Sequence, residues 1–298
     1  MADNAAMTSR LPDSAALPAS CWQAELRLEF GLCGARTVLE GNRHRGPLRV
    51  QKALYPEGEG VCQAIVLHPP SGIAGGDRLS LTAHLGPGAH AQLTTPGAGK
   101  WYRSAGPEAS QTLDFTLAAG AALEWLPQET IVFDGARARM GATVALAADA
   151  RYIGWDILCL GRRASGERFA TGRCDMALSL SREGHPLWHE QGGFDGADRL
   201  LTSPIGWAGA TVSGTLLCAF PELSHRAVGL LQACRAFAPA DGARHGLTVL
   251  PGPGGGVLAA RYLGDGSEAA RQWFVALWQI LRPACCGRGA VAPRIWNT

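Results

Sequence analysis

From Glu25 to Phe220 apolar and polar residues alternate with a period of two, the spacing that sends successive side chains to opposite faces of a β-strand. Leu26, Leu28 and Phe30 alternate with Arg27 and Glu29, and Leu79, Leu81 and Leu85 with Ser80, Thr82 and His84. The rhythm returns at Leu113, Phe115 and Leu117 against Thr112, Asp114 and Thr116, and again at Cys174, Met176, Leu178 and Leu180. Turn clusters such as Gly86-Pro87-Gly88, Thr95-Pro96-Gly97 and Asp134-Gly135 separate the runs, because Gly and Pro supply the backbone angles a reversal needs. The pattern predicts a mainly β, many-stranded body.

Two segments change to a helical period. Near residues 221–238, Leu223, Ala227, Leu230, Leu231 and Cys234 share one face. Near residues 267–282, Ser267 offers an N-cap, Glu268 sits in the first turn, Trp273, Leu277, Ile280 and Leu281 form the apolar face, and Pro283 is the expected stop. Between them, Leu247 to Leu250 and Val257 to Leu263 read as a strand pair around the turn PGPGGG. Both helices are expected to pack on the β body, so residues 21–298 form one domain behind a flexible tail at residues 1–20. No sequence repeat is evident, although a β-solenoid hides its coils when their loops differ in length.

Composition narrows the function classes. With 47% hydrophobic and 17% charged residues the chain can bury a sizeable core. Its formal charge of +2 comes from scattered basic residues, so the electrostatic footprint of a nucleic-acid binder is missing. The first twenty residues carry one Arg and no sustained apolar run, unlike a secretory signal, and no later stretch offers the roughly 18 apolar residues of a membrane span. Nine cysteines, an odd number without framework spacing, fit free thiols in a reducing compartment. The expected location is the cytoplasm.

Familiar catalytic signatures are absent. GAGKW around Lys100 imitates a phosphate loop, but Thr94 stands at the first glycine position and Trp101 replaces the Mg-binding hydroxyl residue. The glycines Gly254 to Gly256 precede a strand-like run and lack a dinucleotide setting. His185 and His189 have a helical ligand spacing, yet Pro186 and the alternation favour a strand, where they stand about 13 Å apart and cannot chelate one ion. Cys285 and Cys286 are soft donors with no histidine or second cysteine pair nearby in sequence.

Carboxylates embedded in apolar or glycine-rich sequence carry more information, because a buried ionised group needs water, a partner or a cation. They are Asp77 in HPPSGIAGGD, Glu124 and Glu129 in LEWLPQET, Asp156 in YIGWDILCLG, Glu167 in ASGERF and Glu190 in LWHE. Each can cap a turn or pair with an arginine such as Arg103, Arg162, Arg163 or Arg168. Together, facing one interior, they would make a negatively biased path that passes a divalent cation between weak sites, since carboxylate and water hold Ni(II) more loosely than imidazole or thiolate does.

GPLRVQKALYPEG, HPPSGIAGGD, TTPGAGKWYRS, EWLPQETIVF, WDILCLGR and the terminal PRIWNT, in this order from about Trp22 to Thr298, resemble the urease accessory protein UreD (UreH) family. The resemblance implies a right-handed β-helix-like body with two C-terminal α-helices and no enzymatic activity of its own. It further implies a scaffold and nickel conduit in urease maturation that binds the urease apoprotein and UreF, with the GTPase UreG recruited through UreF. Transient Ni(II), and no tightly bound cofactor, is the implied metal. Carried onto matching positions, the family's acidic path falls on Asp77, Asp156 and Glu190, with Glu167 and Glu124 as further members. The family often has an arginine after the acid at Glu190, where this chain has Gln191. Trp273, Trp278 and Trp296 are candidate packing or partner-contact residues. Two other functions fit the same architecture: a β-helix enzyme acting on a polysaccharide, and a pure scaffold without nickel transit.

Overall fold

The computed structural model describes residues 21–297, so the tail expected at residues 1–20 lies outside the described residues. The chain opens with the hairpin β1 (Gln23–Cys33) and β2 (Arg36–Arg45), followed by β3 (Arg49–Leu54) and β4 (Cys62–Leu67). It then winds through β5 (Arg78–Leu85), β6 (His90–Thr94), β7 (Gly99–Trp101), β8 (Ala109–Leu117), β9 (Ala122–Leu126), β10 (Thr130–Val132), β11 (Arg137–Leu146) and β12 (Arg151–Leu160). The last part holds β13 (Arg173–Arg182), β14 (His185–Asp195), β15 (Val212–Ala219), α1 (Leu223–Arg235), β16 (Arg244–Leu250), β17 (Val257–Gly264) and α2 (Ser267–Cys286).

These strands form a solenoid of about four turns. One wall is a seven-stranded sheet in the order β14-β13-β11-β8-β5-β1-β2, and the other follows β16-β17-β15-β12-β9-β6-β4-β3. Within them β1, β5, β8, β11 and β13 run parallel, as do β4, β6, β9 and β12. Antiparallel pairs finish both walls at each end. The short β7 and β10 pair parallel with each other, and β10 with β12, which makes GAGKW part of a strand ladder.

The corners between walls repeat one turn. The Ala89, Ala121 and Ala150 amides donate to the carbonyls three residues back, and Ala122 and Arg151 reach the carbonyl of the corner alanine one coil away. Each corner alanine is fully buried, because coils stacked about 4.8 Å apart leave room for little more than a methyl group there. Gly172 needs its glycine: at φ 95° a Cβ would stand 2.3 Å from the Ala136 carbonyl oxygen of the neighbouring coil.

The second wall is apolar on both faces. On β12, Tyr152, Leu158 and Leu160 point to the core between the walls, whereas Ile153, Trp155, Ile157 and Cys159 point to a second core under the helices. α2 fills that second core with Trp273, Phe274, Leu277, Trp278 and Leu281, and α1 adds Leu223 and Cys234. Two details differ from the sequence reading. Gly266, not Ser267, occupies the N-cap of α2, and the helix runs through Pro283 to Cys286, where Gly287 closes it in the left-handed conformation. Pro283 lies within the last turn, so the bond it cannot donate to the Gln279 carbonyl is lost only near the helix end, and its own carbonyl accepts the Gly287 amide that caps the helix. All nine cysteines are free, and among the described residues no helix is long and apolar enough to cross a membrane.

Candidate functional site

A cavity of about 460 Å³ separates the two walls. Its lining runs from Val66 on β4 past Trp125 on β9 to Asp156 on β12 and Thr215 on β15, four strand steps or roughly 20 Å along the solenoid axis. The opposite wall contributes Leu81, Leu113, Ala142 and Leu178, which are register partners on successive strands. The column ends at Glu190, paired with Leu178 across β13 and β14. Most of the surface is therefore apolar; Lys100 on β7 also lines it, and the acids gather near the C-terminal coils.

Of the five acids assigned to the path from the sequence, Asp156 and Glu190 line this cavity. Asp156 is exposed to the cavity, and protein surrounds it beyond that space. Desolvation pushes its carboxyl up, the Glu190 charge pushes it further, and Arg261 pulls it back, leaving it at about 7. Among the described residues no other side chain hydrogen-bonds it. Glu190 is held by Arg261, whose Nη1 donates to Oε2 at 2.5 Å. The partner that Gln191 does not provide thus comes from β17.

The other three acids lie outside the lining, each satisfied in its own way. Buried Asp77 ties a turn, accepting the Trp22 amide at 2.7 Å and the Ala74 amide at 2.8 Å. Glu167 braces a corner: its hydrogen bond from Arg162 at 2.6 Å, with the Asp134 and Arg162 amides, holds it below the ordinary carboxylate range. Fully buried Glu124 accepts from His90 Nε2 at 2.8 Å, Trp278 Nε1 at 2.7 Å and Arg282 Nε at 2.9 Å, and Arg282 turns its other face to Glu57 at 2.6 Å. Burial raises Glu124, but His90 and Arg282 outweigh it and keep the acid ionised.

Sequence reasoning missed two features. His68, inside the motif quoted for Asp77, lines the cavity, and its buried Nε2 has no hydrogen-bond partner among the described residues. Burial lowers its pKa against the pull of Asp77, so it stays a neutral imidazole. Cys286 also has a histidine near it: donor atoms of His90, Glu124 and Cys286 lie within 4.8 Å of one another. Both oxygens of Glu124 already accept from the Arg282 guanidinium, a fixed positive charge that opposes a second cation, so this cluster latches α2 to β6 and β9. Trp273 and Trp278 are buried in the helix core, and half-buried Trp296 donates to Thr94 Oγ1 at 2.8 Å between the rings of Trp155 and Trp278.

Comparison with known proteins places these features in a family. The model of the UreD urease accessory protein family matches residues 23–297. A protein of Dechloromonas aromatica named urease accessory protein UreD is 70% identical over 292 residues, 98% of this chain and 100% of the relative. Proteins of the same name from Nitrosococcus oceani and Pseudomonas aeruginosa are each 53% identical, over 95% and 98% of this chain and 92% and 100% of theirs.

Proposed function

Because the chain belongs to the UreD family of urease accessory proteins, we propose that it matures urease as a scaffold with an internal nickel route. It engages the urease apoprotein and UreF, and reaches the GTPase UreG through UreF. Ni(II) is cargo that passes between weak sites in the cavity. The observation that carries the route is the meeting of Asp156 and Glu190, far apart in sequence, in one cavity whose walls are otherwise largely apolar. Carboxylates bind Ni(II) weakly enough to release it, and the neutral imidazole of His68 toward the N-terminal coils adds a second type of donor. Exposed Ile205, Val228 and Phe237 supply apolar area for the scaffold role. The polysaccharide reading loses its support, since these acids open between two sheets and not onto an outer groove that a polymer could occupy.

The test is the nickel content and activity of the cognate urease, co-expressed with its other accessory proteins and with wild-type chain, Asp156→Ala, Glu190→Ala or the double variant. Nickel-poor urease in complexes that still assemble is the expected outcome. Full nickel loading by the double variant would leave the scaffold role and remove the route. Full loading without the chain would remove both.

A further inference from the structure

Register places Asp156 on β12 beside Thr215 on β15, and Thr215 beside Arg261 on β17. All three share the inward parity of their strands, with Tyr152 and Leu158, Leu217, and Val257 and Ala259 as core-facing neighbours. Glu190 approaches from the opposite wall, so both carboxylates of the cavity and one arginine converge at its C-terminal end. Arg261 Nη1 bonds Glu190 Oε2 at 2.5 Å and Thr215 Oγ1 at 3.0 Å, and its guanidinium carbon lies 5.8 Å from the centre of the Trp188 ring. The cation is thus anchored from three sides beside a pair of acids.

We infer that Arg261 is a built-in competitor for the divalent cation: it occupies Glu190 when the cavity is empty and must yield that carboxylate before an ion can bridge Glu190 and Asp156. The inference rests on the nickel route proposed above and adds the residue that keeps the acid pair weak. A guanidinium never loses its charge at physiological pH. The pair is partly exposed, 47% at Arg261 and 35% at Glu190, so salt weakens without abolishing the repulsion of an incoming ion by Arg261, and its hydrogen bond to Glu190 occupies one of the two acids until it swings aside. Without it, two carboxylates facing one space would hold a divalent ion more firmly and release it more slowly.

Nickel(II) chloride binding to the full-length chain, isolated with its partners, tests this by equilibrium dialysis. Arg261→Gln keeps a donor for Glu190 and Thr215 but loses the charge, and should bind nickel at least about tenfold more tightly; Arg261→Lys, which keeps the charge, should stay near wild type. The gain should vanish when Arg261→Gln is combined with Asp156→Asn and Glu190→Gln. An Arg261→Gln variant with a native melting transition and wild-type affinity would overturn the inference and leave Arg261 as a tie between the walls. If Asp156→Asn/Glu190→Gln weakens nickel binding in the wild-type background, that failure touches Arg261 alone; if the pair changes neither binding nor urease loading, the route itself fails. Should Arg261→Gln not fold, Thr215→Val removes the second anchor of Arg261 and must shift nickel affinity upward for the inference to stand.

Discussion

Asp156 titrates at about 7, because burial and Glu190 raise it more than Arg261 lowers it. An unfolded aspartate ionises near about 3.9, so the folded chain keeps a proton that the unfolded chain has released. The stability contributed by this group is fully present below about pH 4 and is lost as pH rises to about 7. Asp156→Asn should therefore gain on wild type in urea midpoint between these pH values and hold a constant lead above them. A lead that does not change with pH would show that the carboxyl is not perturbed. Asp156 and Glu190 were legible as acids among apolar neighbours, but Asp77, Glu167 and Glu124 carry the same signature for other reasons. Backbone amides satisfy the first, Arg162 the second and Arg282 the third, and of these partners only the Arg162 beside Glu167 was visible as a candidate in sequence.

At the scale of elements, α2 is fastened to the sheet by charge as well as by its apolar face. Arg282 is fully buried between Glu57 and Glu124, which places one permanent cation between two acids beneath the last turns of the helix. Removing Glu124 leaves Arg282 with Glu57 alone and takes the buried acceptor from His90 and Trp278, so Glu124→Ala should cost about 3–5 kcal/mol in denaturant unfolding. A loss below about 1 kcal/mol would mean that water reaches the site. His90 adds a pH dependence: burial lowers it, but the Cys286 thiol and Glu124 raise it to about 9. Its contribution is complete below its ordinary value of about 6.5 and fades as pH climbs to about 9. His90→Gln should abolish that part of the alkaline slope, and an unchanged slope would assign it elsewhere. The helical period of α2 was plain in sequence, whereas its end was not, since Pro283 reads as a stop only when its place within the final turn is unknown.

For the whole molecule the strand rhythm predicted many strands without saying how they stack. The coil signature was present in Leu85 to Ala89, Leu117 to Ala121 and Leu146 to Ala150, each a leucine, two turn residues, a glycine or aspartate and a buried alanine. It escaped notice because the segments between these corners differ in length and composition. Stacking those corners creates the cavity, and so allows a test of passage that leaves every charge in place. Ala142 lies between Leu113 and Leu178 in register, on the wall facing the lumen. Ala142→Phe directs a ring into the cavity midway along its length. The space of about 460 Å³ can accept the ring, so the stability penalty should stay within the roughly 1–3 kcal/mol of an overpacked core position. Complexes with urease should assemble as for wild type while the nickel content of that urease falls severalfold. Nickel-replete urease from the Ala142→Phe complex would mean that the ion does not travel between the walls, whatever Asp156 and Glu190 bind.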